Sequence, residues 1–91
     1  MGLSEHDALL AEVHRLPSSA PTSADELTDH LVRLKSVAGR WADLLLEVSE
    51  LSRELSGSGT ASALELAFRR AEQSYVELEI AHSAARRPSG N

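Results

Sequence analysis

A chain of 91 residues with a net charge of −5 has room for one small domain and none for a separate catalytic domain. The acid excess argues against nucleic acid as the main partner, because phosphate binding needs a concentrated basic surface. The absence of cysteine excludes disulfides and thiolate metal sites.

The sequence has neither a secretory signal peptide nor an apolar run near 20 residues, which predicts a cytoplasmic chain with no membrane span, or one exported by a route other than Sec. Apolar residues make up 42% of the chain, yet Trp41, Phe68 and Tyr75 are its only aromatics. Its core must therefore come from Leu, Val and Ala, a composition that favours helices over sheets. The charge is uneven: residues 1–30 hold Glu5, Asp7, Glu12, Asp25, Glu26 and Asp29 against Arg15 alone.

Ser4 followed by Asp7 reads as a capping box, after which Leu9, Val13 and Leu16 share one face with Leu10 beside them. A first helix is predicted over roughly 5–16, stopped by Pro17. It is short enough to be marginal unless it docks. Pro17 to Ser23 carries two prolines and reads as an extended linker reaching about 20 Å.

Ser23 with Glu26 forms a second capping box, and nothing except Gly39 interrupts the helix predicted from Ala24 to Leu55, a rod of about 48 Å. Asp29 and Arg33 make an i,i+4 pair of favourable polarity. Leu27, Leu31, Leu34, Ala38, Trp41, Leu45 and Val48 recur at steps of four and three, with Leu55 continuing after Ser52. They predict a lengthwise seam against another helix.

Ser56-Gly57-Ser58-Gly59-Thr60 ends the rod; Gly57 suits the backbone conformation that closes a helix, and Ser58 or Thr60 can cap the next. A third helix is predicted over about 61–87, antiparallel to the second and closed by Pro88, with residues 88–91 a frayed tail. Its inward stripe is Leu64, Phe68, Ala71, Tyr75, Leu78, Ala81 and Ala85. Ala67 and Ser74 flank it, and Trp41 lies over these small residues.

This hairpin leaves apolar residues over. Val37, Leu44 and Leu51 recur at steps of seven on the second helix with Val32 and Leu46 farther round, and Leu66, Val76 and Ile80 sit off the stripe of the third. The expected partner-binding residues are therefore Val37, Leu44, Leu46, Leu51, Leu66, Val76 and Ile80. They would meet a partner helix or a second copy of the chain.

The sequence carries little chemistry. His6, His14, His30 and His82 have no metal-ligand spacing, and they read as surface histidines. His30 with Arg33 has the look of a phosphotransfer helix, but Leu34 stands where that family has glycine. Gly57-Ser58-Gly59-Thr60 lacks the lysine and preceding strand of a phosphate-binding loop, and Gly59-Thr60-Ala61 lacks the attachment serine of acyl carrier proteins. No triad and no paired carboxylates appear. The expectation is a chain without catalytic, cofactor or metal residues and without a small-molecule substrate.

Tyr75-Val76-Glu77-Leu78-Glu79 resembles the Tyr-x-x-x-acid signal of small helical hairpins exported by type VII secretion. The Trp-x-Gly turn of that family is absent, because Trp41 precedes Ala42-Asp43 inside a helix. Arg53-Glu54-Leu55 before the turn, with the hairpin architecture, resembles the small co-chaperones of type III needle subunits. Both resemblances imply a secretion-associated chaperone or substrate.

The reading is thus an all-α domain, an antiparallel hairpin of two long helices with a short N-terminal third, forming a three-helix bundle or one completed by oligomerisation. Its expected role is non-enzymatic protein binding through a Leu/Val/Trp seam. The alternative is an adaptor, anti-factor or inhibitor that occupies another protein's surface with its acidic N-terminal part.

Overall fold

A computed structural model describes residues 3–87, and within them the chain is helical without strands: α1 (Leu3–His14), α2 (Ala24–Leu55) and α3 (Ser58–Ala85). The expected cap at the Ser4 side chain and the tail 88–91, with its stop at Pro88, lie outside the described residues. α1 begins at Leu3 and ends at His14, two residues earlier than expected at each end. Arg15 and Leu16 form a closing turn, their N–H groups donating to the carbonyls of Glu12 and Val13.

α2 starts and stops where its cap and its Ser-Gly stretch predict. Ser23 holds an extended backbone, and its hydroxyl accepts from the Glu26 N–H at 3.1 Å. The Glu26 carboxylate does not return to Ser23 as a capping box would have it. It turns one residue further out and accepts from the Thr22 N–H at 2.9 Å and the Thr22 hydroxyl at 3.0 Å.

At the other end the N–H groups of Ser56 and Gly57 both donate to the Ser52 carbonyl. Gly57, at φ 95°, turns the chain into α3 through backbone that a side chain would strain. Neither Ser58 nor Thr60 caps α3. Gly57 occupies the cap position with no side-chain bond, so α3 begins at Ser58, three residues before the expected start.

Only Ser56 and Gly57 separate the two long helices, so their axes are forced together at this end. Small residues are what fit between them. Ser49 is 1% exposed and donates through its hydroxyl to the Ala61 carbonyl at 3.4 Å; Ser52 is buried and donates to the Ser49 carbonyl at 2.9 Å. Farther along, Ala42, Leu45 and Ala71 form the buried cluster, with Ala67 and Phe68 packed on it.

The face that α2 turns to α3 is therefore Ala38, Ala42, Leu45, Ser49 and Ser52. This corrects the expected seam. Leu27 and Trp41 are each 44% exposed, Val48 is exposed, and Leu55 is 82% exposed. Beside the turn the small Ser49, Ser52 and Ala61 take the contact, farther along Leu45 is buried with Ala42 and Ala71, and Trp41 and Val48 lie on the flank.

The stripe on α3 is as expected along Leu64, Phe68, Ala71, Tyr75, Leu78 and Ala85, all buried or half-buried. The exception is Ala81, which is exposed, its place taken by half-buried His82. His30 is half-buried too, so neither of these two histidines is a simple surface residue. Tyr75 lies over Gly39, where a Cβ would stand 3.4 Å from the ring, at ordinary contact distance.

α1 packs on α2 and not on α3. The result is a plank of 52 × 26 × 16 Å with one thin core along the hairpin.

Candidate functional site

Seven residues were expected to face a partner, and the structure distributes them over three surfaces. Val37, Leu44 and Leu51 fall into line with Trp41, Val48 and Leu55. Together these six follow one another at steps of four and three along one side of α2. Five of them stand one residue before a member of the α3-facing set, which places the row about 100° round the helix from it.

Exposure rises toward the turn. The rise runs from half-buried Leu44 through Val48 at 39% and Leu51 at 48% to Leu55 at 82%, while upstream Val37 is half-buried and Trp41 is 44% exposed. The row is what the sequence had split in two, with half assigned to the α3 contact and half counted as surplus. Side-chain size separates them only in part: Ala42 and Ser49 take the α3 contact where Trp41 and Val48 do not, but Leu45 enters it while Leu44, of equal size, stays in the row.

Leu66, 49% exposed, adjoins the row across an open groove of about 430 Å³ formed by Trp41, Leu45, Ala63, Leu66, Ala67, Arg70, Ala71 and Ser74. Trp41 thus lies over the small residues of α3, as its position predicts, and Arg70 is the groove's one charged residue. The opposite groove is different in kind. Gly39, Ala42, Leu46, Phe68 and Tyr75 there are joined by Asp43 and Glu72, in a space of about 390 Å³. Leu46 belongs to this charged side, while Val76 and Ile80 are exposed elsewhere on α3.

Electrostatics are modest. Arg53 reaches across the turn to Glu65 at 3.6 Å, and Arg69 meets the same carboxylate at 3.6 Å. Glu12 pairs with Arg15 at 3.4 Å. The expected Asp29–Arg33 pair is not among the ion pairs of the described residues. The backbone N–H of Thr22, then its hydroxyl, holds the Glu26 carboxyl below its ordinary value.

No known family, curated protein or solved structure matches this chain. The linker passes over Glu26, Asp29 and His30 and forms a small cleft with them. The His30 Nδ1 is shielded there without a hydrogen-bond partner among the described residues, as is Glu5 Oε1 on α1. No helix among the described residues is long and apolar enough to cross a membrane.

Proposed function

We propose that this chain is a non-enzymatic interaction protein that docks an α-helix along the apolar row of α2. The observation that carries the reading is that row, with Trp41, Val48, Leu51 and Leu55 exposed in a/d spacing over a thin core. Such a row gains free energy only when a second helix covers it, at about 25 cal/mol per Å² of apolar surface removed from water. Recognition by an amphipathic helix lying in an apolar groove is the matching mode.

A photo-reactive side chain at position 51 or 66 tests it in cells. Discrete cross-linked products are expected from both positions and none from position 72 on the charged groove. Products spread equally over all three positions, or absent from the row, would overturn the reading.

The secretion-associated form of this function rests on Tyr75 and Glu79. Tyr75 is half-buried against Gly39 while Glu79 is exposed, so the acidic group is free to be read by a receptor and the ring is part of the packing. Glu79→Gln is expected to stop export while leaving the helical content unchanged; export at the normal level would remove this form of the proposal.

A further inference from the structure

The charges beside the row assign its occupant. Arg33, Arg40, Glu47 and Glu54 recur at steps of seven, each one residue before Leu34, Trp41, Val48 and Leu55. They line one edge of the row along its whole length. Two bases come first, then two acids, and among the described residues none of the four has an ion-pair partner within the chain.

We propose that the occupant is a second copy of this chain, its α2 laid antiparallel on the first about a two-fold axis level with Asp43 and Leu44. This rests on the reading of the row as a helix-docking surface, and it names the helix. In that register Arg40 meets the partner's Glu47 and Arg33 meets the partner's Glu54, and each contact occurs twice by symmetry. Along the centre, Trp41 packs with the partner's Leu44, and Val48 with the partner's Val37.

A parallel pairing gains nothing from these charges. It would set them against the opposite edge, where Ala38, Leu45 and Ser52 are uncharged and turned to α3. Sliding the antiparallel pair by one heptad toward the turn would bring Glu47 against its own copy. The charge order therefore selects one orientation and one register.

The area agrees. A compact monomer of 9.8 kDa exposes about 5200 Å² by the usual scaling, whereas this chain exposes 6368 Å². The excess, on the order of 1000 Å², is of the size that each partner of a stable dimer buries. The antiparallel register also sets α3 and the partner's α3 on one side, where Ala63, Ala67 and Ser74 leave room for a four-helix arrangement.

Sedimentation equilibrium of the full chain is expected to give twice the chain mass. Arg40→Glu places like charges at two symmetric contacts and is expected to weaken association on the order of tenfold. Adding Glu47→Arg to it restores opposite charges and brings the affinity back to within about threefold. Both side chains lie at the edge of the row, and circular dichroism checks that each variant keeps its helices.

A dimer indifferent to Arg40→Glu, or one not rescued by the double exchange, overturns the antiparallel register. A monomer that binds an apolar dye unless Leu51 is changed to Glu overturns the second copy while leaving the row open to another helix. A monomer that binds no dye overturns both this inference and the docking surface beneath it.

Discussion

Two glycines in this hairpin respond in opposite ways to the same added methyl group. At Gly57 the backbone has φ 95°, and a Cβ added there would meet nothing within 4 Å, so the cost of Gly57→Ala is conformational, about 1–2 kcal/mol. At Gly39 the backbone is helical and the new Cβ would meet the Tyr75 ring at 3.4 Å, an ordinary contact. Gly39→Ala is therefore expected to stabilise by up to about 1 kcal/mol, the helix-propensity difference. Chemical denaturation of the two variants should give shifts of opposite sign; a loss of stability in both would mean that Tyr75 cannot accept even this contact. Glu26 supplies a residue-scale test in pH. Its folded carboxyl titrates below the ordinary 4.5, so its stabilising contribution is present above that value and is lost as pH falls through the lower folded one. Thr22→Val removes the hydroxyl but keeps the N–H, and in an NMR titration it should move the Glu26 midpoint only part of the way back.

At the scale of the elements, what the sequence made legible is governed by local rules. Ser23 and Gly57 set the ends of α2, and the α3 stripe was recognisable because Leu64, Phe68, Ala71, Tyr75 and Leu78 keep alternating steps of four and three, with Leu66, Val76 and Ile80 lying outside it. The contact face of α2 was not legible, because this helix carries two apolar sides a residue apart and periodicity alone cannot rank them. Position along the hairpin ranks them: beside the two-residue turn Ser49, Ser52 and Ala61 are buried, and farther along Ala42, Leu45 and Ala71 make the core with Phe68 packed on it. Two substitutions exploit that. Ser49→Leu is expected to cost about 2–3 kcal/mol by forcing the closed end apart, whereas Trp41→Ala should cost less than the 3–5 kcal/mol of a fully buried tryptophan. A reversed order in urea titrations would return Trp41 to the core. α1 adds to this hairpin without completing it, since among the described elements it packs on α2 and not on α3. Removing residues 1–23 should leave a cooperative melt and subtract only the ellipticity of α1; a chain that no longer melts cooperatively would make α1 part of the core.

For the whole molecule, the radius of gyration of 15.9 Å exceeds the roughly 12 Å of a compact chain of this length, and the thin core follows from that shape. Two helices side by side can shield one strip each, and α2 has more than one strip to shield. If the second strip is covered by another copy, folding and association become one equilibrium, and stability must depend on protein concentration. With unfolding enthalpy near 0.7 kcal/mol per residue, two chains together absorb about 130 kcal/mol, so each tenfold rise in concentration should raise the melting midpoint by about 4 °C. A monomeric hairpin would melt at the same temperature throughout. The slope also separates pairing through the row from loose aggregation. Leu51→Glu should flatten it by removing the second copy, while Leu46→Glu, on the groove that already carries Asp43 and Glu72, should leave it in place. Equal flattening by both would move the contact away from the Trp41 side of α2.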